Sequence, residues 1–185
     1  MIPIWKLSGR LGNQMFRHAY IYTQMRNGRI VDEFVQNPEY FDMYSDEIKR
    51  MFGSNIGSID RVCLQVRRGD YVNNPFYVDL MNTDYYQKSM AMFPNEKFLV
   101  FSDDTEWCKK QEIFKGCDFN ENKEDWEDMN SMASCNRGHI IANGTFGWWG
   151  AFLSPHNTKV VAPSVDNWYS DGVERTKCPN TWIRI

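Results

Sequence analysis

Short apolar runs alternate with segments of helical periodicity along the C-terminal two thirds of this 185-residue chain. The runs end in polar residues or glycine, which is typical of strands buried on both faces. Strands that alternate with helices predict βαβ units around a mostly parallel sheet with right-handed crossovers. We therefore expect an α/β fold with a Rossmann-like parallel sheet. The predicted strands cover residues 61–66, 97–102, 138–142 and 158–162, and the predicted helices cover residues 83–93, 105–111, 125–135 and 145–153.

The N-terminal third has a less regular pattern. A helix follows the glycine-bounded turn at residues 8–13, and the Asn-Gly pair at residues 27–28 is a credible end for it. The Gly- and Ser-rich stretch at residues 53–58 is the best linker in the chain. The pattern divides the chain into an N-terminal part, residues 1–58, and a sheet-forming domain, residues 59–185. Other elements predicted in the first part are strands at residues 2–7 and 29–31, an aromatic loop at residues 34–44 and a helix at residues 46–52.

Polar side chains follow three of the predicted strands at the point where each strand ends. Because the carboxyl ends of parallel strands meet at one edge of the sheet, where α/β proteins bind ligands, we expect these clusters to share a cleft. Arg67 and Arg68 carry planar donor forks that match phosphate oxygens, so a pyrophosphate-bearing ligand is one interpretation. An ordinary solvated arginine pair in a turn is the other. The clusters are residues 67–71, 102–104 and 143–145.

Two further features of this edge have alternative interpretations. Gly144, Gly147 and Gly150 surround a predicted helix start, where free N–H groups and the helix dipole favour an anion. Small residues there also allow a helix to pack closely on a strand, and the two interpretations are compatible. Asp103 and Asp104 could hold a divalent metal, but hard cations prefer several convergent oxygen ligands and only two adjacent ones occur here.

Composition and charge exclude several classes of function. The net charge of −3 argues against a nucleic-acid partner, because binding to a phosphate backbone needs a clustered excess of Lys and Arg. No apolar run approaches the roughly 20 residues that cross a bilayer, and the N-terminus lacks the pattern of a signal peptide. We expect a soluble, cytoplasmic protein. The five cysteines form no C-x-x-C pair and have no nearby histidines at metal-ligand spacing, so we expect free thiols and no zinc site.

Four segments together resemble the alpha-1,2-fucosyltransferase family, glycosyltransferase family 11. Their order along the chain matches the family, and the similarity covers nearly the whole sequence. A stretch at residues 34–41 resembles an aromatic loop that precedes the arginine motif, and residues 182–185 resemble the usual ending. The four segments are residues 9–16, residues 66–71, residues 101–104 with Trp107, and residues 140–151.

The resemblance implies a truncated version of the two-domain GT-B fold and an inverting transferase. Its implied donor is GDP-fucose, its acceptor a galactose-containing glycan, and it needs no bound metal or other cofactor. Arg67 would be the main pyrophosphate ligand and would form the catalytic pair with Asp70, which supports the motif loop. Asp103 would lie near the guanine, and Thr145 would complete the phosphate site. The predicted nucleotide-sugar-binding residues are Gly9, Arg10, Gly12, Asn13, Gln65, Arg67, Arg68, Asp103, Asn143, Thr145 and Phe146.

The chain also departs from the family pattern. Gln65 stands where histidine is common, and Gly144 and Gly147 stand where serines are common. The N-terminal, acceptor-side domain is much shortened, which leaves a catalytically impaired GDP-sugar-binding or glycan-binding remnant as the alternative function. Apolar surface on this remnant could be covered in a homo-oligomer. Asp70 is a candidate general base, but an aspartate held by arginines is as often a structural anion. An adhesion role for the tripeptide at residues 68–70 is disfavoured by its place at a strand end.

Overall fold

A computed structural model describes residues 10–27, 36–53, 56–121 and 124–185 of the chain. Its core is a six-stranded sheet in the order β3-β2-β1-β4-β5-β6, and each neighbouring pair is parallel. This is the strand order of a doubly wound Rossmann sheet, in which the order reverses beside the first strand. The predicted α/β, Rossmann-like fold is thus confirmed. The strands are β1 Val62–Val66, β2 Phe98–Ser102, β3 Asp118–Phe119, β4 Gly138–Ile140, β5 Val160–Ala162 and β6 Ile183–Arg184.

Six α-helices accompany the sheet in the described part of the chain. Local signals fix several of their ends: α2 has acidic residues in its first turn and basic residues in its last turn, as the helix dipole favours. At the start of α4, the Asp104 side chain accepts the N–H of Trp107 at 3.2 Å and so caps the helix. The helices are α1 Leu11–Arg26, α2 Ser45–Phe52, α3 Tyr85–Ala91, α4 Thr105–Cys108, α5 Asp125–Ser134 and α6 Thr145–Leu153.

Strand β1 lies at the centre of the sheet and is buried along its whole length. Val62, Leu64 and Val66 pack into one apolar cluster with the aromatic side chains of α3, while Cys63 packs on the opposite face. Because both faces are covered, the strand reads as a continuous apolar run rather than an alternating one. This is why its position could be predicted from the sequence.

A second apolar cluster joins the N-terminal part of the chain to α6. Phe16 of α1 lies with its ring centroid 4.5 Å from that of Trp148 and 5.0 Å from that of Trp149. Phe41 and Ile48 are buried in the same cluster. The described residues of the N-terminal part therefore share a core with the sheet domain. The predicted boundary between residues 58 and 59 stays a prediction.

Most predicted elements of the sheet domain are present, with ends shifted by a few residues. The predictions missed β3 and β6, which are two residues long and so too short to give a periodic pattern. The strands predicted at residues 2–7 and 29–31 lie outside the described residues. No helix in the described ranges combines the length and apolar character that crossing a membrane requires.

Candidate functional site

A cleft of about 440 Å³ opens at the carboxyl ends of the strands, beside the point where the strand order reverses. The pairing of strands β1 and β4 ends at Leu64 and Ile140, and the two strands separate beyond these residues. Ligands of doubly wound sheets bind at such a switch point. Gly9 lies outside the described residues. The predicted residues that line the cleft are Arg10, Gly12, Asn13, Gln65, Arg67, Asp70, Asp103, Asn143, Thr145 and Phe146.

Arg67 is held in the cleft by two carboxylates. One terminal nitrogen of its guanidinium contacts Asp70, and the other lies 2.5 Å from Asp103. The guanidinium also lies over the ring of Tyr71, 5.1 Å from its centroid. The outer oxygen of Asp70 lies 3.5 Å from Arg10, whose side chain is mostly exposed. Arg67 is therefore fixed in orientation while its side chain keeps some exposure to the cleft.

Asp103 anchors the arginine motif. Its Oδ1 accepts the backbone N–H of Arg68 at 2.8 Å, while its Oδ2 pairs with Arg67. Both oxygens are thus engaged with the residues that follow β1. The family resemblance implies that Asp103 lies near a guanine base, which stays a prediction; in the structure its carboxylate holds the arginine motif.

Arg68 points away from the cleft. Its guanidinium lies 3.4 Å from the ring centroid of Trp107, on α4, and its Nε lies 3.8 Å from Asp104. Both arginines are predicted to bind the ligand, but only Arg67 lines the cleft. Arg68 is drawn to the other side by its contacts with Trp107 and Asp104, at the start of α4.

The first turns of α1 and α6 meet at the cleft. A Cβ added to Gly12 would lie 2.6 Å from the carbonyl carbon of Thr145, so only glycine allows α1 to approach so closely. Neither first turn contains an acidic residue, and the N-cap of α6, Gly144, provides no side-chain cap. The N–H groups of a first turn have no intrahelical partner, and the helix dipole makes such a site favourable for an anion.

A polar network crosses the cleft from α6 to the C-terminal segment. The hydroxyl of Thr145 donates to Oδ1 of Asn13 at 2.8 Å, and Nε2 of Gln36 donates to the same oxygen at 3.1 Å. The amide oxygen of Gln36 accepts the hydroxyl of Thr176. Asn143 is likewise engaged, since its side-chain amide donates to two backbone carbonyls. The predicted phosphate contact of Thr145 therefore requires its hydroxyl to leave Asn13.

An aromatic wall forms the side of the cleft beyond Arg67. The rings of Tyr71 and Tyr77 are stacked with centroids 3.8 Å apart, and Tyr169 lies 5.7 Å from Tyr77. Burial raises the pKa of the Tyr71 hydroxyl above its ordinary value, so the phenol stays protonated at neutral pH. The wall presents neutral, apolar ring surface next to the cationic part of the cleft.

Several residues of the cleft were not predicted from the sequence. Trp168 and Tyr169 follow β5, so the same strand-end rule that found Arg67 could have found them, whereas Tyr77 lies in the segment between β1 and α3. Two carboxylates lie in the first turn of α5, which begins at the same edge of the sheet. No comparable sequence pattern indicates Gln36 or Thr176. The missed residues are Gln36, Tyr77, Asp125, Asp128, Trp168, Tyr169 and Thr176.

Within the described ranges, no group of three or more His, Cys, Asp or Glu side chains is arranged to hold a metal ion. Asp103 and Asp104, the predicted alternative metal ligands, contact the arginine motif and cap α4 instead. Independence from metal in a reaction stays a prediction.

Comparison with known proteins gives one consistent result. The family model described as glycosyl transferase family 11 matches residues 45–185. An alpha-1,2-colitosyltransferase of Escherichia coli is 34% identical over 183 residues, which cover 82% of this chain and 61% of the relative. A galactoside alpha-(1,2)-fucosyltransferase 1 of Saimiri sciureus is 28% identical over 175 residues, or 86% of this chain and 46% of the relative. The chain thus spans less than two thirds of these relatives. No solved structure matches significantly.

Proposed function

Because this chain belongs to glycosyltransferase family 11, we propose that it transfers L-fucose from GDP-fucose to a hydroxyl of a galactose-containing glycan. The proposed reaction inverts the anomeric configuration of the donor and forms an alpha-1,2 linkage, as the resemblance of the motifs implies. One observation carries the proposal: Arg67 and the first turns of α1 and α6 converge on one cleft at the switch point of the sheet.

The proposed chemistry uses that convergence to stabilise the departing GDP. As the acceptor hydroxyl attacks the anomeric carbon, negative charge accumulates on the diphosphate. Arg67, Arg10 and the open N–H groups of two helix starts provide positive or partly positive groups around it. Because Asp70 and Asp103 already hold the Arg67 guanidinium, no reorientation is needed when charge develops. The proposal includes no bound metal or other cofactor.

Asp70 and Asp103 have distinct proposed roles. Asp70 lies between Arg67 and Arg10 and is half exposed, so it supports the catalytic arginine from the open side of the cleft. Asp103 is proposed to lie near the guanine, whose ring and amino N–H groups need acceptors. Since both Asp103 oxygens are engaged, a guanine contact requires it to share them with the arginine motif.

Donor turnover tests the proposal. GDP-fucose is supplied with and without lactose as the galactoside, and the release of GDP is measured. We expect release that depends on lactose and exceeds the background hydrolysis. Binding of GDP without acceptor-dependent release would instead support the alternative, a GDP-sugar-binding remnant without transfer. Absence of any GDP binding at millimolar concentration would contradict both.

The name of the 34% identical relative makes a colitosyl group a second candidate for the transferred sugar. The two donors are distinguished by the same measurement, with a GDP-linked colitosyl donor in place of GDP-fucose. The donor with the higher kcat/KM is the better assignment. Equal turnover of both would indicate a cleft that does not discriminate between them.

A homo-oligomer is a further part of the proposal. Three large apolar side chains of the N-terminal part, Tyr40, Met43 and Met51, are exposed. Exposed apolar side chains that fall close together can mark an association surface. Sedimentation velocity at micromolar concentration should find a dimer or larger species, and a clean monomer would reject this part.

A further inference from the structure

Gln65 lies where β1 and β4 separate. The two strands pair through Leu64 and Ile140, after which the backbone of β4 no longer faces a partner on β1. The Gln65 side chain fills that position: its Oε1 accepts the backbone N–H of Ala142 at 3.0 Å. Only 6% of Gln65 is exposed, yet the residue lines the cleft. A side chain thus continues the ladder across the opening of the cleft.

Gly147 provides the space for this side chain. A Cβ added to Gly147 would lie 2.7 Å from Cδ of Gln65, closer still to its amide oxygen, and 3.2 Å from Cβ of Ile141. Contacts under 3.0 Å essentially never occur for a real Cβ. Because Ile141 is fully buried in the core, the Gln65 amide would have to move. The observed position of the Gln65 amide therefore requires glycine at position 147.

The orientation of the Gln65 amide follows from its hydrogen bond with Ala142. The Ala142 N–H can only bond the oxygen of the amide, so the nitrogen must occupy the other position. Among the described residues, Nε2 of Gln65 has no hydrogen-bond partner, although it carries two donor hydrogens. Because Gln65 lines the cleft, this donor is available to an acceptor on a bound molecule. An oxygen of a bound molecule would supply that acceptor.

We propose that Gln65 and Gly147 act as a pair in ligand binding: Gln65 donates its amide N–H groups to a diphosphate oxygen of the nucleotide sugar, and Gly147 is the positioning residue that keeps the amide in that orientation. The inference rests on the proposed function for the identity of the ligand. It adds an uncharged donor beside Arg67, at the start of α6, which supplies hydrogen bonds where Gly144 and Gly147 offer no hydroxyl.

The pairing of the two residues is tested by thermal unfolding without ligand. Gly147→Ala should lower Tm by about 4 to 10 °C, because overpacking a core position strains its surroundings. In the Gln65→Ala background, the same change should lower Tm by less than about 2 °C. The helix propensity gained by alanine is the same in both backgrounds and cancels in the comparison. An equal decrease in both backgrounds would overturn the pairing.

The donor role is tested by calorimetric titration with GDP at 25 °C. Gln65→Met keeps a side chain of similar length but removes the N–H groups, and we expect the Kd for GDP to rise about tenfold or more. Gln24→Met is the matched control, since Gln24 is also buried but lies on α1 outside the cleft. Its Kd should stay within about twofold of the wild type. A Gln65→Met variant that binds GDP as tightly as the wild type would overturn the donor role.

The proposed function and this inference fail in different ways. If the wild-type protein does not bind GDP, the proposed function and the donor role are both wrong, while the unfolding experiment still decides the pairing. If the wild type binds GDP and the Gln65→Met variant binds it equally well, the donor role of Gln65 is wrong while the proposed function stands. Gly147→Ala adds a further criterion: it should weaken GDP binding although it removes no polar group, and unchanged binding would contradict its positioning role.

Discussion

The two ends of β1 carry similar ion pairs but have different surroundings. At the amino end, Nε of Arg61 lies 2.7 Å from Asp118. At the carboxyl end, Arg67 contacts Asp70 and Asp103. Side-chain exposure is 29% for Arg61 and 17% for Arg67, so burial alone does not separate the two ends. An arginine–carboxylate pair is therefore not by itself a binding site.

The difference comes from the topology of the sheet. In a parallel sheet, helices that follow strands begin at the carboxyl edge, so their first turns point at whatever lies beyond the strands. Here α6 begins beside β1, and Gly12 brings the start of α1 against Thr145. The cleft forms where β1 and β4 separate. The amino end of β1 has no part in this cleft, and its arginine pair remains a surface contact.

Substituting the two arginines tests this comparison most strongly. Arg67→Ala should cost about 3 to 4 kcal/mol of transition-state stabilisation, a loss of a few hundredfold in kcat/KM, because it removes a positioned charge from the diphosphate. Arg61→Ala should leave kcat/KM within about twofold. Steady-state kinetics with GDP-fucose and lactose, together with GDP titrations, provide the measurement. Equal losses in both variants would mean that the carboxyl end is not the site.

His139, a histidine of β4 that does not line the cleft, makes the stability of the fold depend on pH. His139 of β4 is fully buried, and burial lowers its pKa from 6.5 to about 4. The unfolded chain takes up this proton at higher pH than the folded protein does. Stability should therefore fall by about 3 kcal/mol as pH decreases from 6.5 through 4.

Urea unfolding at pH 7.5 and pH 4.0 measures this effect. His139→Gln should remove most of the difference between the two pH values, since a neutral amide has no proton to gain. His156→Gln, a change of the same kind at a less buried position, should retain it. A wild-type protein whose stability loss is unchanged by His139→Gln would show that other groups cause it.

The central elements of the fold could be predicted because each has a local cause. The run at β1 is apolar since both faces are covered, and Arg67 falls at its end. The strand-end rule therefore places Arg67 in the cleft. The same rule cannot tell that Arg68 turns toward Trp107, because that depends on where α4 packs.

Contacts between distant parts of the chain could not be predicted. Thr145 and Asn13 are 132 residues apart, and no periodicity in either segment indicates their hydrogen bond. The close approach of Gly12 to α6 likewise has no signal in the sequence. Such contacts depend on how complete elements pack, and only the structure reveals them.

The packing of the two helix starts is tested by a pair of glycine substitutions. Gly12→Ala places a methyl group against the backbone of Thr145 and should cost about 1 to 3 kcal/mol of unfolding free energy. It should also weaken GDP binding, because α1 must move away from α6. Gly57→Ala meets only Ser134, at 3.9 Å, and should change stability by less than about 0.5 kcal/mol. Urea unfolding and GDP titration of both variants provide the measurement.

The smallest expected difference in stability is between substitutions of the carboxylates that pair with arginines at the two ends of β1. Asp103→Asn weakens the contact with Arg67 and replaces a charged acceptor of the Arg68 N–H, so we expect a cost of about 1 to 2 kcal/mol. Asp118→Asn makes the same chemical change in a surface pair and should cost less than about 1 kcal/mol.

Salt sharpens this last prediction. Raising the salt concentration screens exposed charges more than partly buried ones, so the cost of Asp118→Asn should shrink toward zero while that of Asp103→Asn persists. Unfolding in urea at low and high NaCl measures both. If the two costs are equal and fall together, Asp103 does not hold the motif, and the fixed orientation of Arg67 must come from Asp70 and from its packing on Tyr71 instead.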